Sequence, residues 1–241
     1  MKTTLETVHD RALELWKSED ILNEYIAVVA APLSVEQAIG SPDAKDFPIQ
    51  KNKEKLMEAT FRETRGQAFT DQFGNFKGSL AEVASLPLDC NFNRAVFVST
   101  LNAVTRALGQ VDNTVHCRDT GPKLCAQTVF ERIREQYGTC RVTIIGFQPE
   151  LAEVLNKNTE VRLIDLDPDN VGQTKRGVLV EGGDMTRDAV NWCDLLLVTG
   201  TTLANNTIDL FLNDKPVLFY GTTIAGAASL MGWDRFCPQS S

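Results

Sequence analysis

The chain has 241 residues, 43% of them hydrophobic and 23% charged, enough to bury a core in one large or two modest domains. Its formal net charge of −8 argues against nucleic-acid binding, which needs clustered Lys and Arg. Met1–Ala12 lacks the apolar core of a signal peptide, and no apolar run reaches the length of a membrane span. We therefore expect a cytoplasmic protein, without a membrane partner, whose six cysteines are free thiols.

The first half of the chain has the pattern of a small α+β unit. Apolar residues at helical spacing predict an amphipathic helix over Thr3–Lys17. Short runs bounded by Gly, Pro and Asn favour strands, and two later segments favour helices. The predicted strands are Glu24–Ala31, Ser34–Gly40 and Gln67–Asp71, and the predicted helices are Gly78–Ser85 and Asn91–Leu108; Asp43–Arg65 stays ambiguous.

The second half alternates between strands and helices, as a parallel sheet requires. A polar stretch between Gly109 and Gly121 separates the two patterns, so we predict domains at 1–120 and 121–241. The fold class is α/β, with a mostly parallel Rossmann-like sheet in the second domain. The predicted strands are Arg141–Gly146, Val161–Asp165, Cys193–Thr199 and Lys215–Tyr220, with an extended piece at Gly177–Gly183. The predicted helices are Lys123–Tyr137, Gln148–Asn156, Thr186–Trp192 and Ala204–Leu212.

Two of these strands end in the same tripeptide, Gly-Thr-Thr, at residues 200–202 and 221–223. Glycine allows the chain to turn without a Cβ clash, and threonines beside a helix N-terminus offer hydroxyl and amide groups to an anion. Helix capping is the alternative. Because ligands collect beyond the carboxyl ends of parallel strands, we expect Gly146 to share this edge. The predicted wall comprises Gly146, Phe147, Gln148, Thr199, Gly200, Thr201, Thr202, Gly221, Thr222 and Thr223.

The first turn of the sheet resembles a dinucleotide site only in part. Gly146 is the single glycine of a G-x-G-x-x-G turn, and Phe147 and Gln148 would crowd a pyrophosphate. This incomplete motif disfavours NAD. Asp165 stands about 20 residues later, where a ribose-binding carboxylate belongs; the alternative is a polar residue that ends a strand. Asp167 follows it in the same turn-rich segment.

Polar residues on two helices are further candidates. Asn102 and Arg106 lie four residues apart, hence on one helical face, where they would suit an anionic ligand or form an exposed ion pair. Asn205 and Asn206 are expected in the first turn of a helix, although Asn is a mediocre helix former. Such a violation indicates a ligand site, with capping as the alternative.

A cluster near the domain boundary suggests a metal. His116, Cys117 and Cys125 carry imidazole and thiol groups within ten residues, and both are competent ligands for zinc or a softer ion. Their spacing is unlike that of a zinc finger or ribbon. Chance occurrence in a polar linker is the alternative.

Three segments carry a resemblance to a known family. Asn102–Gly109, Val142–Pro149 and Cys193–Thr207 resemble the DUF364 family, whose description names heavy-metal chelation. The resemblance implies an enolase-N-terminal-like domain followed by a Rossmann-like domain, with a site in the cleft between them. It covers the second half well and the first half only by architecture, and the cysteines do not match it.

These observations lead to one main hypothesis. The protein binds a small anionic or metal-chelating molecule in the interdomain cleft, between the glycine turns and the helix of Asn102 and Arg106. One alternative is an enzyme that uses a nucleotide-type cofactor in the same cleft. Another is a metal-handling protein that holds a divalent or heavy metal ion through His116, Cys117 and Cys125. A homodimer is compatible with the sequence.

Overall fold

The computed structural model describes residues 2–22, 28–42 and 45–241, with only the backbone described for 28–30. Within these ranges the strands form two sheets. The antiparallel sheet, in the order β3-β2-β1-β4, contains β1 (Val28–Pro32), β2 (Lys55–Phe61), β3 (Thr64–Thr70) and β4 (Phe76–Gly78). The second sheet, in the order β10-β9-β5-β6-β8-β7, contains β5 (Val142–Ile145), β6 (Val161–Ile164), β7 (Thr174–Lys175), β8 (Val178–Glu181), β9 (Leu195–Thr199) and β10 (Val217–Tyr220).

Helices surround both sheets, and none in the described part of the chain has the length and apolar character of a membrane span. They are α1 (Thr4–Ser18), α2 (Val35–Ile39), α3 (Leu80–Ala84), α4 (Asn91–Ala107), α5 (Gly121–Tyr137), α6 (Pro149–Asn156), α7 (Thr186–Trp192), α8 (Thr201–Ala204) and α9 (Ala225–Met231).

The predicted parallel sheet is confirmed. The strands from β10 through β8 pair in parallel, and only the short edge strand β7 is antiparallel. The order of the strands reverses between β5 and β9, which is where open α/β sheets leave a crevice for ligands. Gly146, Asp165, Gly200 and Gly221 each directly follow one of the parallel strands, so they lie along one edge of the sheet.

Helix α4 is the central element of the packing. Its residues from Arg94 to Thr105 are all buried, because it contacts the antiparallel sheet on one side and α8 and α9 on another. Gly66 on β3 allows this close approach, since a Cβ atom there would lie 2.2 Å from the backbone nitrogen of Ala103. One apolar cluster consequently runs from α1 and the antiparallel sheet to β9 and β10.

Asn102 joins α4 to both sheets. Its Nδ2 donates to the carbonyl oxygens of Gln67 at 2.8 Å and of Thr222 and Thr223 at 3.1 Å each, and its Oδ1 accepts from the amide of Gly226 at 2.7 Å. The side chain is fully buried, so all its hydrogen-bonding capacity serves these backbone groups. The prediction that Asn102 faces a ligand is therefore wrong, because its side chain bonds to the protein backbone instead.

Two predicted elements are wrong. Ser34–Gly40 is not a strand, because Ser34 and Gln37 form a capping box that starts α2. Ala204–Leu212 is not one helix, because α8 ends at Ala204 and Asn206 adopts a left-handed conformation with φ of 59°. Asn205 and Asn206 therefore end a helix instead of beginning one. Strand β4 and helix α9 were not predicted, and residues 24–27 of the predicted strand Glu24–Ala31 lie outside the described residues.

We expect Asn102→Ala to lower the free energy of unfolding by about 3 kcal/mol, because it leaves buried backbone groups without partners. Chemical denaturation of the purified chain measures this loss. Asn93→Ala on the same helix is the matched control, since Asn93 makes one exposed hydrogen bond, to the carbonyl of Pro87, and should cost less than about 1 kcal/mol. Equal losses in the two variants would contradict the role assigned to Asn102.

Candidate functional site

A cavity of about 650 Å³ lies between the two sheets. Its floor is the carboxyl edge of the parallel sheet, with residues that follow β5, β6, β9 and β10. Its other walls come from the segment 47–54, the end of β3, and the start of α5. The volume lies in the range of small-molecule sites, and the position at the reversal of strand order is the one expected for an α/β sheet.

The turn after β5 is packed tightly against its neighbours. Gly146 has a φ of 89°, and a Cβ atom there would lie 2.7 Å from Cγ2 of Thr199, so glycine is required on both grounds. The hydroxyl of Tyr220 donates to the carbonyl oxygens of Ile145 at 3.1 Å and Gly146 at 2.9 Å. Burial raises the pKa of Tyr220, so its hydroxyl remains a donor at neutral pH.

The threonine hydroxyls beside this turn already have partners in the protein. Thr202 Oγ1 donates to the carbonyl of Thr199 at 2.7 Å, and the hydroxyls of Thr199 and Thr201 lie 3.2 Å apart. Thr223 Oγ1 accepts from the amide of Phe69 at 3.0 Å. All four side chains line the cavity, whereas Thr222 does not, and its buried Oγ1 has no hydrogen-bond partner among the described residues. The threonine hydroxyls mainly hold the turns in place, but they do not cap α8 or α9, because neither helix has a side-chain hydrogen bond at its N-cap.

The turn after β6 is fastened to the turn after β5. Asp165 Oδ2 accepts from the amide of Phe147 at 2.7 Å, and its Oδ1 accepts from the amide of Asp167 at 2.8 Å. Gln148 caps α6, and the Phe147 ring is buried. The amide that would meet a pyrophosphate in a dinucleotide fold is thus bonded to a carboxylate. All four residues, Phe147, Gln148, Asp165 and Asp167, line the cavity.

Three other predicted residues, Asn102, Arg106 and Asn206, do not line the cavity. Arg106 donates to the hydroxyl of Thr114 at 3.1 Å and to the carbonyl of Ser241 at 2.7 Å, and neither it nor Asn102 lines the cavity. Asn205 does line it, although its Oδ1 accepts from Thr207 at 2.6 Å, while Asn206 is exposed outside. The expected wall of Asn102 and Arg106 is therefore replaced by the antiparallel sheet and its loops.

Carboxylates crowd one end of the cavity. Among the described lining residues, Glu54, Asp71, Asp165 and Asp167 are acidic, and Lys53 is a basic neighbour that pairs with Asp167 and Asp169. Burial of Glu54, aided by the charges of Asp165, Asp71 and Asp167, raises its pKa to about 8. Sequence reasoning missed Glu54 and Asp71. Glu54 lies within the charged segment 43–65, which has no strand or helix period.

Thiols and an imidazole occupy the other end. Cys117, Cys125 and His116 line the cavity as a group, and the structure adds Cys237, which is 112 residues from Cys125 in sequence and was not predicted. The hydrogen bond from Cys125, together with the charge of Arg235, lowers the pKa of Cys237. Burial raises the pKa of Cys117 to about 12 and lowers that of His116.

Part of each end can be placed on the parallel sheet. Asp165 and Asp167 follow β6, whereas Cys237 lies just after Arg235, which bridges to β10. Three strand spacings separate β6 from β10, or roughly 14 Å. No group of three or more His, Cys, Asp and Glu side chains in the described ranges is arranged to hold a metal ion, so His116, Cys117 and Cys125 do not form such a group.

The architecture defines an α/β protein with a ligand-sized cavity at the edge of a mostly parallel sheet. Within it, residues 128–218 match the model of the DUF364 family, described as "Putative heavy-metal chelation", which confirms the predicted resemblance over this segment. Two solved structures of DUF364 proteins of unknown function share the fold. The structure from Pyrococcus horikoshii is 15% identical in sequence and has a TM-score of 0.55. The match covers 92% of this chain and 79% of the Pyrococcus chain. The structure from Desulfitobacterium hafniense DCB-2 is 13% identical in sequence and has a TM-score of 0.50. The match covers 73% of this chain and 72% of the Desulfitobacterium chain. The curated proteins include no match.

We expect Glu54→Gln to stabilise the protein in a pH-dependent way. Burial and the acidic neighbours raise the pKa of Glu54 from 4.5 to about 8. Between these pH values the folded state binds more protons than the unfolded state, so this group's contribution to stability falls as pH rises. The free energy of unfolding of Glu54→Gln should exceed that of the wild type by an amount that grows from pH 4.5 and levels off above pH 8. This difference should reach roughly 2 kcal/mol after allowance for the partial exposure of the side chain.

Denaturation curves collected across this pH range measure the difference. Glu63→Gln, at an exposed position in the turn between β2 and β3, is the control and should follow the wild-type profile. A Glu54→Gln profile parallel to wild type would show that the carboxyl group of Glu54 is not held in a crowded, buried site.

Proposed function

We propose that the protein binds a small metal-chelating molecule together with its metal in the cavity between the two sheets. The observation that supports this proposal is the carboxylate end of the cavity, where Glu54, Asp71, Asp165 and Asp167 converge. Negative charge at one end of an enclosed site attracts a cation or a ligand rich in hydrogen-bond donors. The match of residues 128–218 to a family described by heavy-metal chelation supports the same ligand class.

Electrostatics favours one of the two ligand classes expected from the sequence, which are a small anionic molecule and a metal-chelating molecule. A free anion at the carboxylate end would meet like charges, and two charges 4 Å apart interact by about 4 kcal/mol near a protein surface. Lys53 offers little compensation, because it already pairs with Asp167 and Asp169. The metal-bearing chelate is therefore preferred over a free anion.

A chelator supplies the metal ligands that the carboxylate end of the cavity lacks. The residues that the structure describes provide no cluster of three or more side chains arranged around a metal. A metal that arrives already coordinated by an organic molecule needs only outer contacts from the protein, such as charge and hydrogen bonds. The hydroxyls and backbone of the turns at Gly146, Gly200 and Gly221 would contact the organic part. In this proposal the cavity is the cleft between domains 1–120 and 121–241.

Catalysis in the same cavity is the second candidate. Glu54 has a pKa of about 8, so its carboxyl group can hold a proton at neutral pH and release it within reach of a bound molecule. This property suits a general acid or base. A nucleotide-type cofactor receives less support, because the amide of Phe147 is bonded to Asp165 at the turn where a pyrophosphate would lie.

We expect metal-loaded chelates to raise the melting temperature of the purified chain. Suitable probes are citrate and free histidine, each with and without Ni²⁺ or Zn²⁺, because a ligand of the folded state stabilises it by mass action. At 100 times the dissociation constant the gain is about 2.7 kcal/mol. Chelator without metal, and metal without chelator, should shift the melting temperature less. A screen in which the loaded forms give no larger shift would refute the proposal.

Asp167→Asn and Asp169→Asn form a matched pair for calorimetric titration with the best chelate. Both carboxylates pair with Lys53 and lie in one loop, yet only Asp167 lines the cavity. The first variant should weaken binding by about tenfold, or 1.4 kcal/mol, and the second should bind like wild type. Equal affinities in the two variants would place the chelate elsewhere.

A further inference from the structure

The thiol end of the cavity brings together residues from two distant parts of the chain. Cys117 precedes α5, Cys125 lies in its first turns, and Cys237 follows the last helix. The side chains of Cys125 and Cys237 both line the cavity, and the interaction between the two thiols raises the pKa of Cys125 and lowers that of Cys237. Gly121 allows this convergence, because a Cβ atom there would lie 2.8 Å from Cβ of Cys117.

The surroundings of Cys237 are built from anchored groups. Arg235 interacts with the sulfur while its Nε donates to the carbonyl of Gly221 at 2.9 Å and its Nη2 to the carbonyl of Asn113 at 2.6 Å. Ser240 Oγ donates to the carbonyl of Cys237 at 2.6 Å. The backbone on both sides of the sulfur is thereby held in position.

An imidazole completes the group. His116 lies within charge-interaction range of Cys237, and its buried Nδ1 has no hydrogen-bond partner among the described residues. Buried polar atoms normally have a partner, so an unpaired imidazole nitrogen beside paired thiols indicates a ligand. The backbone around it is fixed, since the amide of His116 donates to Oε1 of Gln67 at 2.7 Å.

From this arrangement we infer that Cys125 and Cys237 together bind a soft, monovalent, thiophilic cation such as Cu(I). Thiolates select soft ions of this kind, and Cu(I) is satisfied by as few as two of them. The site thus needs no group of three ligands, which the described residues do not provide. His116 and Cys117 stand beside the pair as neighbours that can shield the ion from water.

Binding is a simple exchange of cations. Each cysteine that is neutral before binding loses its S–H proton to the solvent as its sulfur bonds to the metal, and no electron is transferred. The proposal concerns the end of the cavity opposite the carboxylates, so it does not require the chelate site to exist. The hard oxygen donors at the one end and the soft sulfur donors at the other favour different ligands.

Anaerobic titration of the purified full chain with Cu(I), in competition with bicinchoninate, tests the site. We expect one Cu(I) per chain to be withheld from the competitor, with a thiolate-to-metal absorption band in the ultraviolet. Cys125→Ser and Cys237→Ser should each weaken Cu(I) binding by at least about tenfold, since each removes one of two bonds to the metal. Circular dichroism establishes that the variants are folded. Should Cys237→Ser fail to fold, the partly exposed Cys125 carries the test alone.

Cys90→Ser and Cys140→Ser are the matched controls, because neither thiol lines the cavity. Both should bind Cu(I) like wild type, and Asp167→Asn should do so too. Release of all Cu(I) from the wild-type chain to the competitor would overturn the inference, as would wild-type affinity in Cys125→Ser. Failure of the chelate site would leave Cu(I) binding intact, whereas failure of the thiol site would leave the response to chelates intact.

Discussion

The two walls of the cavity keep their relative position through the side chain of Asn102. Its carboxamide bonds the backbone of β3 at Gln67, the turn after β10 at Thr222 and Thr223, and the start of α9 at Gly226. Because the group is buried, water cannot replace these bonds, and their loss would cost the full desolvation of several backbone groups. The effect extends to the thiol end, since the side chain of Gln67 accepts from the amide of His116.

The parallel sheet could be predicted because its signals are local. Short apolar runs such as Cys193–Thr199 end at glycines, and the rule that parallel strands share one carboxyl edge then places Gly146, Gly200 and Gly221 together. The antiparallel half offers no equivalent rule. Glu54 lies in a charged segment without periodicity, and it reaches the cavity only because β2 pairs with β1 and β3, a long-range event that no local pattern records.

Polar residues were the least predictable part of the site. Asn102 was expected to contact a ligand because it shares a helical face with Arg106, and Asn205 and Asn206 because asparagine is unfavourable in a helix. Asn102 instead bonds to the backbone, and the other two terminate α8. A polar residue in an unfavourable place indicates a specific hydrogen bond without saying whether its partner is a ligand or the protein. For Asn102 the tertiary structure provides the answer, because three neighbouring elements present unpaired backbone groups at that point.

The distribution of donors in the cavity has a consequence for selectivity. Asp165 and Asp167 follow β6 and Cys237 lies beside β10, with the turns of β5 and β9 between them, so these hard and soft donors stand by strands roughly 14 Å apart. At that separation one small ion cannot contact both groups, so the ligands proposed for the two ends would occupy different parts of the cavity, which a mixed cluster of oxygen and sulfur donors would not allow. The proposed chelate and the proposed thiophilic ion would therefore lie at opposite ends of one cavity, each beside the donor type that suits it.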